Sequence, residues 1–177
     1  MGTHRLVCHP DTPSVAVKNI TATIFDHPAS GLLLRWRVDG CSALVLPSYA
    51  GSGRGAELWQ TTCFELFAQQ SGTAYEEFNF SPSQRWAAYR FSAYRENRQD
   101  IEAGEGPVID HQSGEQLFVL TAKLPGFKLD TGRVGLSAVI EERGGIKSYW
   151  ALAHPAGEPD FHDPSCFIAA VPAPQRV

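Results

Sequence analysis

Apolar and polar residues alternate with a period of two along most of this chain. That is the period at which successive side chains face opposite sides of a strand. Leu32–Val38 shows it most cleanly: Leu34, Trp36 and Val38 fall on one side, Leu33, Arg35 and Arg37 on the other. Val15–Phe25 alternates less well. Val15 and Val17 share one phase, Ile20, Ala22 and Ile24 the other, so the pattern predicts a strand with a bulge at Lys18-Asn19. The first 14 residues are mostly polar, carry His-Pro and Thr-Pro, and read as an arm or an edge segment. His27–Gly31 reads as a turn, Asp39-Gly40 as a hairpin turn, Ala43–Leu46 as a short strand, and Pro47–Gly55 as a glycine-rich loop.

The stretch Leu58–Arg95 concentrates the aromatic residues and reads as a three-stranded meander. In its first strand, Leu58–Phe67, Phe64 and Leu66 oppose Cys63, Glu65 and Phe67. In Tyr75–Phe80, Phe78 and Phe80 oppose Tyr75, Glu77 and Asn79. In Trp86–Arg95, Ala87, Tyr89, Phe91 and Ala93 oppose Trp86, Ala88, Arg90 and Tyr94. The expected core half is Phe64, Leu66, Phe78, Phe80, Tyr89 and Phe91; the other half, Glu65, Glu77, Asn79, Trp86, Arg90 and Tyr94, carries the polar chemistry. Glu96–Gly114 reads as a long polar connection. Gln116–Leu124, Val134–Glu142, Ser148–Ala153 and Cys166–Val171 read as further strands, with a short helical turn at Lys128–Gly132. No amphipathic helix emerges. Turn signals about every 8–12 residues predict an all-β antiparallel sandwich, immunoglobulin-like or jelly-roll-like. With no repeat or linker, residues 1–177 are expected to be a single domain.

Composition adds exclusions. A net charge of −4 with scattered Lys and Arg argues against nucleic acid and against an anionic membrane surface as partners. Cys8, Cys41, Cys63 and Cys166 lie far apart with no CxxC. The N-terminus shows no apolar leader, and reduced thiols and a cytoplasmic location are the expectation. The glycines around Arg54 lack the Gly-Lys-Ser/Thr ending of a phosphate loop.

Three constellations bear on function. Glu65, Glu77, Asn79, Arg90, Trp86 and Tyr94 suit a saccharide, since carboxylates and amides bond hydroxyls while aromatics stack on a pyranose. The same residues fit cross-strand ion pairs on a solvated sheet. Glu65 and Glu77 also fit a glycosidase acid/base pair on adjacent strands. His154, Asp160, His162 and Asp163 form the richest cluster of potential metal ligands, with His154, Asp160 and His162 the candidate set, in a proline-stiffened segment that reads first as a turn whose His and Asp side chains bond backbone groups. No nucleophile elbow occurs, and the only Met is Met1.

The runs Thr62–Phe67, Tyr75–Pro82 and Trp86–Tyr89 resemble the DOMON-like superfamily, whose relatives include the family 9 carbohydrate-binding modules. Leu120–Pro125 and Val134–Val139 resemble its late strands. Tyr149–Pro155 and Pro159–His162 are similar to a small bacterial DOMON-like group. The resemblance implies a β-sandwich that binds a ligand, with sugar and haem the two known classes, and implies no catalysis. The expected role is a non-catalytic binding module for a carbohydrate or similar small polar ligand, with Trp150 joining Glu65, Glu77, Asn79, Trp86, Arg90 and Tyr94 as candidate ligand residues. The absence of an internal Met departs from the haem-binding members, leaving His/His ligation through His154 and His162 as the haem or metal alternative.

Overall fold

The computed structural model describes residues 2–27, 31–102, 104–127, 129 and 132–170. These residues form strands β1 (Gly2–Cys8), β2 (Asn19–His27), β3 (Gly31–Asp39), β4 (Gly53–Arg54), β5 (Cys63–Gln69), β6 (Tyr75–Phe80) and β7 (Arg85–Phe91). They continue with β8 (Gln99–Asp100), β9 (Val108–Ser113), β10 (Leu117–Leu124), β11 (Arg133–Glu142), β12 (Ile146–Ala151) and β13 (Ala169–Ala170). Hydrogen bonds link them in the order β4-β7-β6-β5-β11-β12-β1-β2-β3-β10-β9, with β13 beside β11 and β8 beside β7. The chain is all-β, as expected. The expected purely antiparallel pairing fails at one edge, where Gly53 and Arg54 run parallel to Arg85 and Trp86. Among the described residues no helix is long and apolar enough to cross a membrane.

The sheet is mixed and curls into a half-barrel. β1 is the point of curl: its first five residues pair with β2, its last two with β12. The curl carries the β2-β3-β10 limb over the β5-β6-β11 limb. Trp36 of β3 lies 5.6 Å from Phe64 and 5.7 Å from Phe80, and Phe118 of β10 stacks on Phe64 at 5.8 Å. Leu34, Trp36, Phe64, Leu66, Phe80, Phe118 and Leu120 are all fully buried there. Alternation explains the set, since each strand sends every second residue inward.

Several elements differ from the sequence reading for local reasons. The polar N-terminal residues form β1, in the middle of the hydrogen-bonding order; each of its halves is paired on only one side, so it needs one buried apolar residue, Leu6. Val15 and Val17 precede the strand. The backbone N–H groups of Val15, Ala16 and Val17 donate to the Glu142 carboxylate at 2.7, 2.6 and 3.1 Å, so Lys18-Asn19 marks the start of β2, not a bulge. Gly40 takes φ +84°, and a Cβ there would lie 2.3 Å from the Ala16 carbonyl oxygen. The chain then enters a 3-10 turn at Cys41–Ala43, not a hairpin, and Leu44 makes one isolated bridge to Glu142. Leu58–Gln60 is likewise a 3-10 turn. The Glu96–Gly114 connection contains β8 and β9. Within three predicted elements, Pro28 to Ser30, Lys128, Asp130, Thr131 and Val171 lie outside the described residues.

Candidate functional site

The site is built on the face of the sheet that turns away from the core. Strand register decides which residues reach it. β5 pairs with β6 so that Glu65 faces Asn79 and Phe67 faces Glu77. β6 pairs with β7 so that Glu77 faces Tyr89 and Tyr75 faces Phe91. Directly opposed residues share a face, so Tyr75, Glu77, Asn79, Tyr89 and Phe91 stand together with Glu65 and Phe67. This corrects the expected phase of the third strand by one residue. Its cause is the loop Pro82-Ser83-Gln84. The Gln84 N–H donates to the Ser81 carbonyl at 3.0 Å, the Ser81 N–H donates to the Arg85 carbonyl at 2.9 Å, and Gln84 has φ +69°. A turn followed by one left-handed residue makes a three-residue loop, which preserves odd-to-odd pairing.

The phase shift redistributes the candidates. Trp86 opposes Phe80 on the inner face and belongs to the core, as does Trp150, whose indole N–H donates to Ser148 Oγ at 2.9 Å. Arg90 opposes Glu76 and bonds its carboxylate at 2.6 Å beside a separate small pocket of about 310 Å³. Tyr94 lies beyond β7, half exposed, and donates to Asp160 Oδ2 at 2.5 Å. The structure therefore groups Glu65, Glu77 and Asn79, and places Trp86, Arg90, Tyr94 and Trp150 elsewhere.

A second layer covers part of this outer face. Phe161, Cys166 and Phe167 pack on Phe67, Tyr75, Phe91 and Val139 as a small apolar cluster. Phe167 stacks on Phe67 at 5.6 Å directly over Gly135. A Cβ at Gly135 would meet the Phe167 ring at 2.7 Å, so the close approach requires glycine. Between this layer and the 9–18 and 55–61 loops the sheet is left open as a cleft of about 1140 Å³. Glu65, Glu77, Tyr89 and Val139 line its floor, His162, Phe161 and Arg95 one wall, and Thr12, Glu57 and the half-exposed Trp59 the rim.

The floor is electrostatically unusual. Glu65 is 3% exposed and Glu77 7%, and among the described residues neither forms an ion pair with a Lys or Arg side chain. Ser137 Oγ–H donates to Glu65 Oε2 at 3.3 Å, and Asn79 Nδ2–H to Glu77 Oε1 at 2.6 Å. Each carboxyl is thus held by one oxygen. Burial, then the charge of Glu77, raises the Glu65 carboxyl well above its ordinary range. Burial raises Glu77 too, against the Asn79 hydrogen bond and the charges of Arg95 and Arg98. Two such groups titrate as a pair, and they retain a proton where isolated carboxylates have lost theirs.

His162 completes the wall. Burial, then Arg95, lowers its imidazole to about 4, so it is neutral at pH 7. Its 3.7 Å approach to Glu77 is therefore a polar contact and not an ion pair. The Arg95 N–H donates to Tyr75 Oη at 3.1 Å, and Tyr75 Oη lies 2.8 Å from His162 Nδ1. The arrangement that satisfies every group has the phenol donating to Nδ1, which puts the imidazole proton on Nε2, facing Glu77. Asp160 accepts from Tyr94, from Arg95 at 2.8 Å and from the His162 N–H at 3.1 Å. Burial alone would raise Asp160; these hydrogen bonds outweigh it and hold the carboxyl below its ordinary range.

His154 lies apart from this group. Its Nε2 is 2.8 Å from the Val7 carbonyl, and its ring meets His9 edge-on at 4.8 Å. Among the described residues no three His, Cys, Asp or Glu side chains converge as a metal site: Asp160 meets His162 only at its backbone N–H, and His154 lies apart from both. Sequence reasoning missed Trp59, Tyr89, Phe91, Arg95, Tyr149 and Phe161 as cleft residues. Pro82 at the corner of a short loop was the available signal for Tyr89 and Phe91. The wall residues come from loops distant in sequence and left none.

The acid pair makes stability depend on pH in a definite direction. A carboxyl raised on folding binds its proton more tightly in the native state, so its stabilisation is complete below the unfolded value and declines as pH rises through the folded one. Glu65→Gln is expected to flatten this decline and to gain in Tm on wild type as pH rises from 5 to 8. Thermal unfolding across that range checks it; a Tm difference that shrinks with pH contradicts it.

No family model matches the chain. No curated protein matches it. A solved structure from Bacteroides uniformis ATCC 8492, described as a "putative carbohydrate-binding protein", superposes with a TM-score of 0.68 at 16% identity. The match covers 94% of this chain and 84% of that one. At this identity the likeness is one of fold.

Proposed function

We propose that the outer-face cleft binds a saccharide without transforming it. The observation that carries this is the floor: Glu65 and Glu77 are buried, each fixed through one oxygen, with the other oxygen facing an aromatic-rimmed cleft. A carboxyl pair that shares a proton offers both a donor and acceptors to vicinal hydroxyls. Trp59, Tyr89 and Tyr149 offer flat apolar faces to the ring. The Bacteroides neighbour supports the reading as a fold-level analogy. The same reading takes the curled sheet as a sandwich of the DOMON type, with the core aromatics between its limbs.

The test is calorimetric titration of the protein with a series of mono- and oligosaccharides, neutral, acidic and basic. Trp59→Ala is expected to weaken binding by about 1.4 kcal/mol, roughly tenfold. Trp59 is half exposed, so its removal leaves folding intact. Absence of binding across the series overturns the reading.

One observation favours a second reading. Both carboxyls line one cleft on adjacent strands, and the raised Glu65 is the proton donor that glycoside hydrolysis requires. Product analysis by chromatography after prolonged incubation with each bound oligosaccharide separates the two. Intact ligand keeps the binding role; cleavage that Glu65→Gln abolishes replaces it.

A further inference from the structure

We propose that the cleft selects a saccharide bearing a protonated amine, an unacetylated amino sugar, and seats that ammonium between Glu65 and Glu77. The inference rests on the saccharide reading above and adds the class of sugar.

Charge is the first observation. Among the described residues the cleft is lined by the acids Asp11, Glu57, Glu65, Glu77 and Glu158 and by two arginines, Arg95 and Arg98. Neither arginine neutralises the floor at contact. Arg95 is engaged by Asp160 at 2.8 Å, and Arg98 lies over the Tyr89 ring at 4.9 Å. The neutral imidazole of His162 adds no charge.

Hydrogen bonding is the second and independent observation. Glu65 is 97% buried, yet its Oε1 takes no hydrogen bond from any described residue. Glu77 Oε2 is met only by His162 Nε2, at 3.7 Å. The two residues are diagonal neighbours across β5 and β6, with Cα atoms about 7–8 Å apart by strand geometry. Neither oxygen is sealed in the protein: both residues line the cleft, so a ligand donor can reach them, and two acids this close repel unless a proton or a cation lies between them. An ammonium has three N–H donors and the opposite charge. It satisfies both open oxygens and replaces the proton the pair shares. A metal ion fits less well, because a third His, Cys, Asp or Glu ligand is lacking among the described residues.

Ammonium binding must then release a proton over the range where the pair is half-protonated. The groups facing the pair are Cys63, Tyr75, Tyr89, Arg95, Arg98, Ser137 and His162. The thiol and both phenols are raised and stay protonated, and His162 is neutral throughout. The released proton comes from Glu65 and Glu77.

The experiment compares three β-1,4 disaccharides that differ only at C2: di-glucosamine, its di-N-acetyl form and cellobiose. Titrations at pH 6.5 in two buffers of different ionisation enthalpy read affinity and proton release together. Di-glucosamine is expected to bind at least about tenfold tighter than cellobiose, with net proton release that cellobiose does not show. Glu65→Gln is expected to bring the affinity ratio toward one. Cellobiose or the acetylated form binding as tightly, without proton release, overturns the inference and leaves the saccharide reading standing. Failure of all three to bind at millimolar concentration overturns both. A preference that Glu65→Gln leaves unchanged also overturns the inference.

Discussion

Glu142→Ala is expected to lower the unfolding free energy by about 4 kcal/mol, and Tm by about 12 °C for a chain of this length. Glu142 ends β11 in the inward phase of Leu136, Ala138 and Ile140 and is 1% exposed. It closes one end of the half-barrel with three charge-assisted hydrogen bonds from the Val15, Ala16 and Val17 N–H groups. Each such bond is worth about 1.5–3 kcal/mol, and removal of the shared acceptor strands three donors at once. Some cost is recovered where water reaches the half-exposed loop. Glu142→Gln keeps one acceptor oxygen and is expected to lose about half as much. Thermal unfolding gives both values. Amide hydrogen exchange gives the location: protection at residues 15–17 should fall before that of β2. A Tm within about 2 °C of wild type for the alanine variant contradicts the account.

Glu77→Ala is expected to weaken saccharide binding by about 2.4 kcal/mol, roughly 50-fold, the largest effect on affinity in the cleft. Glu77 lines the cleft and orients Asn79 through Oε1, which leaves Oε2 free to accept from a bound sugar. It also faces Tyr89 across the strand pair, so its loss disturbs the aromatic floor. Stability should move the other way. Removing one of two buried acids relieves the pair, so the variant is expected to unfold at or above the wild-type temperature near pH 8. Weak binding with retained stability distinguishes a binding residue from a structural one. A binding loss that tracks a loss of Tm would place Glu77 in the fold and not in the site.

These two acids show how far the sequence could be read. Period-two alternation was enough to find β3, β6, β10 and β11 and to assign Phe64, Leu66, Phe78 and Phe80 to the core. It also set Glu65, Glu77 and Asn79 together on the opposite face. It could not carry the phase from β6 to β7, because phase across a hairpin depends on loop length and on the sign of φ at Gln84. One residue of slip moved Trp86 inward and Tyr89 and Phe91 outward. Glu142 was hidden differently. A glutamate after an apolar run reads as the solvent end of a strand, and only the fold of the 15–17 backbone makes it a buried acceptor. The wall and rim, His162, Arg95 and Trp59, come from three loops that local patterning does not bring together.

The central claim is that saccharide binds on the outer face of β5, β6 and β7, over the Glu65–Glu77 pair. Amide and side-chain NMR shifts during titration with the best-binding oligosaccharide test it most directly. The account predicts changes clustered at Trp59, Glu65, Glu77, Tyr89, Tyr149 and His162, with Arg90, Ile101 and Phe127 around the small pocket unmoved. Changes centred on that small pocket, with the cleft residues silent, would contradict it.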